Sequence, residues 1–346
     1  MKTYRHIIIG GGLAGLYAAY RLVQRGEDFV LLEATAQLGG RVQAVDGLDL
    51  GGTWFWAEMQ PELDALVREL NLPRFEQYSA GDMVVERSRA EPPMRVRGFY
   101  SAPVSYRLVG DMITLIDALA ARVPSEYIRL SQPVAALSRE NGVTRVQTRN
   151  GDIYQAENVL LALPPRLAAQ LNYAPALPDK LRQAWEKTST WMAAHAKYLA
   201  VYDRPFWRED GLSGAAFSQQ GALGEIHDIS LPNGKAALFG FFAVPASARK
   251  NAGEAALKQL SRLQLARLFG EAAATPEYDV IQDWSQQPFT ATAADQVAQP
   301  HQSDAPPSRA ASGEWADNLQ GIASEWSPSF SGYLAGAEEA VRLALA

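Results

Sequence analysis

The chain has 346 residues, 47% of them hydrophobic and 20% charged, with no cysteine and a formal net charge of -6. That length allows two domains or one large fold with an inserted core, and that composition excludes disorder as the main state. The acidic balance argues against a nucleic-acid partner, the missing thiols exclude disulfides, cysteine nucleophiles and iron–sulfur clusters, and the histidines at 6, 195, 227 and 301 have no metal-ligand spacing.

Residues 6–9 form a short apolar run that ends at Gly10, as a buried parallel strand should. Leu13–Gln24 has helical periodicity, with Leu16, Ala19, Tyr20 and Val23 on one stripe, and Gly26 stops it. Phe29–Leu32 is a second apolar strand, closed by Glu33, so the chain opens as a βαβ unit. The three glycines after Ile9 are foreign to a signal sequence, and no run approaches the roughly 20 apolar residues of a membrane span. The expectation is a soluble, cytoplasmic protein.

Residues 61–70 read as an amphipathic helix, and 78–106 as a basic, irregular stretch that includes Arg87, Arg89, Arg95 and Arg97. Helix returns over 111–123. Strand-like runs follow at 134–137, 143–148 and 153–161, separated by Asn141-Gly142 and Asn150-Gly151, which predicts a three-stranded antiparallel meander. Strands are expected around 197–201 and 237–244, a helix over 252–269, a long loop over 286–312 and a last helix over 332–346.

Gly10-Gly11-Gly12-Leu13-Ala14-Gly15 satisfies G-x-G-x-x-G between a strand and a helix. Gly10 allows the tight turn, Gly12 lets a pyrophosphate approach the backbone, and Gly15 packs helix on strand. Glu33, 18 residues after Gly15, is placed to accept from ribose hydroxyls. Further glycine pairs follow in Leu38-Gly39-Gly40-Arg41 and Asp49-Leu50-Gly51-Gly52-Thr53-Trp54.

These two segments resemble the FAD fingerprint of the flavin-containing amine oxidase superfamily, in its short, soluble, bacterial-type form. The resemblance continues through Val134, Ala162-Leu163-Pro164-Pro165, Lys197 with Pro205-Phe206-Trp207, Trp284, and the run from Glu325 to Gly336. It implies an α/β fold: a Rossmann-like FAD-binding domain (βαβ plus meander) over 1–75, 108–186 and 287–346. A smaller mixed-sheet α+β substrate domain would take 76–107 and 187–286. It also implies FAD contacts from Gly10, Gly12, Leu13, Ala14, Gly15, Glu33, Ala34, Gly39, Gly40, Arg41, Gly51, Gly52, Thr53, Trp54, Val134, Trp284, Glu325, Ser331 and Leu334. Lys197, which in the family holds a water beside flavin N5, and Tyr333, at the position of a cage tyrosine, are the implied catalytic residues; no metal is implied.

The activity implied is hydride transfer from an amine C–H to FAD, giving an imine, with dioxygen as oxidant and hydrogen peroxide as product. Two departures stand out. The family's flavin-linking cysteine would fall near Ala293, so FAD is expected to be non-covalent. The second ring of the amine cage would fall near Ala294. That gap keeps two rivals open, a desaturase-type enzyme acting across C–C bonds and a flavin-binding partner protein without turnover. His195 reads as a satisfied structural histidine, Trp54, Trp56, Phe330 and Tyr333 as pocket aromatics, and the arginines from 87 to 107 as a solvated segment.

Overall fold

The computed structural model describes residues 2–98, 102–232, 234–302 and 304–346; positions 99–101 of the basic stretch and Ser303 of the long loop lie outside them. The chain opens with β1 (Thr3–Ile9), α1 (Leu13–Gln24) and β2 (Phe29–Leu32), with Gly26 in the left-handed region just beyond the helix. A tight hairpin, β3 (Ala44–Val45) and β4 (Leu48–Asp49), turns on Asp46 and Gly47, both at positive φ. Next come α2 (Pro61–Glu69), begun by a proline at its first turn, and β5 (Arg74–Glu76).

The basic stretch is not irregular throughout. It forms β6 (Asp82–Glu86) and β7 (Met94–Arg97), which pair antiparallel before β8 (Tyr106–Leu108). Only Met83 and Val84 are buried apolar residues in this pair, so the alternation is too short to stand out from the surrounding charge. Helix α3 (Ile113–Ala120) is shorter than the pattern suggests, and β9 (Ile128–Arg129) follows.

The meander forms as expected from β10 (Val134–Glu140), β11 (Val143–Thr148) and β12 (Ile153–Leu161), both pairings antiparallel. After it come α4 (Pro165–Ala169), β13 (Asn172–Ala174), α5 (Asp179–Lys187), β14 (Ala196–Tyr202) and α6 (Phe206–Glu209). Strands β15 (Leu212–Ser218), β16 (Leu223–Asp228) and β17 (Ala236–Phe242) come next. The helix expected over 252–269 forms as α8 (Glu254–Phe269), preceded by a further helix, α7 (Ala246–Ala252), from which Gly253 at φ +78° separates it. The last elements are β18 (Tyr278–Asp283), β19 (Leu319–Gly321) and α9 (Leu334–Ala344).

Two large sheets organise these elements. The first has the order β13-β10-β11-β12-β1-β2-β9, with β19 also beside β12; β1 is parallel to both β2 and β12. Helices α1, α2, α3 and α9 cover one of its faces, and α5 with Trp315 and Trp326 covers the other. The second is β18-β14-β17-β16-β15-β6-β7, antiparallel except between β15 and β6. Along β14 the residues alternate: Tyr198, Ala200 and Tyr202 face α8, whereas Leu199 and Val201 pack toward Leu48 and Leu50 of the first hairpin. The second sheet therefore lies with one face against the hairpin and the glycine pair that follows it. Among the described residues no helix is long and apolar enough to cross a membrane, and no cluster could hold a metal.

Candidate active site

One cleft of about 1180 Å³ runs from Glu33 to Lys197 and Tyr333. It exceeds the roughly 300–1,000 Å³ of a pocket for one drug-sized molecule. Its nucleotide end is made of backbone. Gly10 sits at φ +109°, and a Cβ on Gly15 would lie 1.9 Å from the Gly10 oxygen, so helix and strand meet only because both are glycine. At Gly12 an added Cβ would meet no atom nearer than 3.7 Å, which leaves open the approach to the α1 amides. Helix α1 has no side-chain cap, and Gly12, Leu13 and Ala14 line the cleft at its positive end. Helix α9 does the same from the other side, with Tyr333 as its uncapped N-cap and Leu334 on the cleft wall.

Two helix N-termini converging on a long cleft free of side-chain caps are what a dinucleotide with an electron-accepting ring requires, so these residues fit FAD. Gly12, Leu13 and Ala14 would hold its pyrophosphate, and the Leu334 amide would face the ring end that gains negative charge. Of the expected cofactor residues, Gly10, Glu33, Ala34, Gly39, Gly40, Arg41, Gly51, Gly52, Thr53, Trp54, Val134 and Trp284 also line the cleft. Gly15, Glu325 and Ser331 do not. Gly15 is packing, and Ser331 turns its hydroxyl toward the Glu325 carbonyl.

Two acidic anchors carry more internal bonds than sequence showed. Glu33 Oε2 accepts from Gly11 N at 2.7 Å, and Oε1 accepts from Thr35 N at 2.8 Å and from its hydroxyl at 2.9 Å. Little capacity remains for a ribose, chiefly on Oε2. Arg41 is bidentate to buried Glu325 at 2.5 and 2.9 Å, joining chain segments 284 residues apart. This ion pair raises the guanidinium pKa although burial opposes it.

At the other end, Lys197 points from β14 into the space between the sheets. Its ammonium donates to the Gly51 carbonyl and, at 3.0 Å, to Thr53 Oγ1. The rings of Phe239 and Phe241 lie 4.7 and 5.3 Å away. Burial pushes its pKa from 10.5 down to about 8; Asp49 opposes the fall and Arg107 adds to it. Asp49 is pushed up from 3.8 to about 7, chiefly by burial, although Met112 N donates to it at 2.8 Å. Asp49 Oδ2 and Arg107 Nε and Nη2 are buried with no partner among the described residues. Sequence showed Asp49 only as part of a motif, and Arg107 only as one basic residue of several.

The aromatic lining also differs from expectation. Trp191 and Trp56 flank Tyr333, with centroids 4.7 and 6.3 Å away, and His301 stands 5.4 Å from the same ring. Trp191 and Trp56 line the cleft beside Tyr333, on chain segments other than the one near Ala294. Phe330 is not on the cleft; it packs with the helices over the first sheet. His195 is not satisfied as expected: its Nδ1 is buried with no partner among the described residues, and burial next to Arg249 lowers its pKa. The basic segment supplies no arginine to the cleft, because Arg107 lies buried, with Nη1 donating to the Ser230 carbonyl at 3.0 Å. The long loop contributes Gln287, Pro288, Phe289 and Thr290 to the wall, and Asp295 ties it to Arg166.

Comparison with known proteins adds an independent line. Residues 105–343 match the model of a family described as flavin containing amine oxidoreductase, and residues 8–70 match that of an NAD(P)-binding Rossmann-like domain. A probable flavin-containing monoamine oxidase A of Dictyostelium discoideum is 23% identical, aligned over 83% of this chain and 85% of its own. A putrescine oxidase of Kocuria rosea is 24% identical, over 64% of this chain and 69% of its own. The solved cyclohexylamine oxidase of Brevibacterium oxydans IH-35A shares the fold, with a TM-score of 0.84 at 18% identity over 99% of this chain and 98% of that one.

Proposed function

The chain belongs to the family of flavin-containing amine oxidoreductases and uses FAD; from that premise we propose that it oxidises a small amine at the carbon beside nitrogen. Bound FAD supplies the two-electron acceptor for the hydride equivalent leaving that carbon; water then hydrolyses the imine, and dioxygen takes the two electrons and two protons to give hydrogen peroxide.

The observation that carries this reading is the environment of Lys197. With a pKa of about 8 the side chain is available in both protonation states near neutrality, so it can hold and pass a proton at Nζ. Two of its hydrogen-bond directions are fixed by Gly51 and Thr53, and the remaining one has no partner among the described residues, leaving it for a water or a substrate nitrogen. Tyr333, Trp191 and Trp56 give the amine an apolar approach that favours its neutral form and excludes bulk water. The uncapped α9 N-terminus would supply positive potential for negative charge on a bound flavin, without reorganisation.

The desaturase reading drew on the missing cage ring; the Lys197 environment favours the amine reading, with Trp191 and Trp56 as further apolar lining beside Tyr333. Absence of cysteine leaves no thioether link, and the cofactor is proposed to be dissociable: acid precipitation should leave all the flavin in the supernatant. The direct experiment mixes the holoenzyme anaerobically with a panel of amines. Bleaching of the flavin bands, followed on aeration by peroxide release, is the expected result; no bleaching by any amine sinks the proposal.

A further inference from the structure

The cleft-facing side of the second sheet carries a row of residues in register. Gln282, Lys197, Phe241, Glu225 and Phe217 are successive cross-strand partners on β18, β14, β17, β16 and β15. Directly opposed residues share a face, so the lysine and the carboxylate face the same way, with Phe241 between them. Two interstrand spacings put their backbones about 9.5 Å apart. Lys197, Phe241 and Glu225 all line the cleft.

Among the described residues on that cleft only Glu33 and Glu225 are acidic, and Glu33 belongs to the nucleotide end. Glu225 Oε1 pairs with His227 Nε2 at 2.7 Å, and Oε2 makes no hydrogen bond with the described residues. The His227 hydrogen bond holds the Glu225 carboxyl below the ordinary range despite partial burial. His227 is fixed in turn, 5.0 Å from Trp54 and stacked on Phe239 at 5.5 Å. The arginines on the cleft, Arg41 and Arg149, lie at the nucleotide end: Arg41 is held by Glu325, and Arg149 follows the strand that pairs with Val134. The substrate end thus offers an oriented anion with one free oxygen, an aromatic wall, and no guanidinium to receive a substrate carboxylate.

We propose that Glu225 is a subsite for a second cationic group, so that the cleft takes α,ω-diamines in preference to monoamines and amino acids. This rests on the amine reading above: one amine lies at the Lys197 end and loses hydride, while the other stays protonated on Glu225. Phe241 lies under the methylenes between them.

The test separates binding from turnover. Alkyl guanidines stay protonated at any working pH, so they occupy the cleft without being oxidised. The holoenzyme is titrated with bis-guanidinoalkanes from propane to octane and with the matching monoguanidines, following perturbation of the flavin spectrum. The wild type should prefer the dication at its best length by on the order of tenfold to a hundredfold, a preference that falls with added salt. Glu225→Gln should bring the ratio close to one, and Glu225→Asp should retain part of it; melting curves and flavin content show that each variant is folded. A wild type without the preference, a preference indifferent to salt, or one that persists in Glu225→Gln overturns the assignment. If the preference depends on Glu225 but no amine bleaches the flavin, the subsite stands and the amine-oxidising reading falls; bleaching by monoamines and diamines alike does the reverse.

Discussion

Two buried charge clusters lie along the cleft, and they are built on opposite principles. Arg41 and Glu325 satisfy each other in a bidentate pair, with Ser324 Oγ accepting a further bond from Arg41 at 3.2 Å. Asp49, Arg107 and Lys197 are removed from water more completely than Arg41, yet three of their polar atoms have no partner among the described residues and two of their pKa values are strongly displaced. The first cluster joins segments that are proposed to hold the nucleotide. The second leaves protons loosely held where the proposed reaction needs one to move. Burial alone decides neither outcome; the completeness of the hydrogen bonding does.

The contrast is tested most severely by Arg41→Ala. Glu325, 1% exposed, would be left as an uncompensated buried charge, at a cost of about 3 kcal/mol or more. Thermal unfolding and flavin content should fall together. A variant with wild-type melting and full FAD would show that the pair is ornamental.

Lys197→Met probes the other cluster. It removes a cation that burial already disfavours, so stability should change little or rise, while aerobic amine turnover drops on the order of a hundredfold. Single-turnover reduction and reoxidation, measured separately, show which step depends on Nζ. Equal losses of stability and turnover would make Lys197 a structural residue and erase the distinction between the clusters.

How legible each region is in sequence follows the same division. The nucleotide end is built from backbone, and backbone geometry forces residue identity: the Gly10–Gly15 contact tolerates no side chain, so the requirement is written as glycine. The substrate end is built from side chains brought together by register and by distant segments. Glu225 and His227 alternate on a six-residue strand, β16, and look like any solvated strand face. Trp191 stands just before Met192, a residue at φ +64° in a turn with no periodicity to flag it. Strand β15 carries Gly214 at φ +77° and shifts register against β6, which hides its alternation. Lys197 was visible only through its resemblance to a family strand.

Asp49→Asn distinguishes the clusters by pH rather than by size. The Asn oxygen can still accept from Met112, so the start of α3 keeps its anchor, but the anion that supports Lys197 is gone. Lys197 should then titrate lower, moving the limb of the kcat/KM profile that follows its deprotonation to more acid pH by about one unit. The linkage sign is also fixed. Asp49 has a folded pKa of about 7 against 3.8 in the unfolded chain, so the native state binds the extra proton between those values. Wild-type stability relative to Asp49→Asn should therefore be greatest below 3.8 and decline as pH rises through about 7. A difference that grows with pH would place the proton elsewhere.

The smallest effect concerns the aromatic walls. Trp191 contacts Tyr333 and His301, and a Cβ on Gly332 would come within 3.0 Å of its ring, so it forms part of the wall as well as of the packing. Trp191→Phe keeps a ring and most of the buried area; Trp191→Leu stays apolar but loses both volume and the π face. If the wall acts on the substrate through its ring, the Leu variant should raise KM for an apolar monoamine by roughly fivefold, at about 1 kcal/mol for one aromatic contact. The Phe variant should lie between it and the wild type, with kcat moved less than KM in both. If melting temperature tracks the loss of packed area while KM stays put, Trp191 only supports Tyr333. The amine would then meet Tyr333 and Trp56 alone.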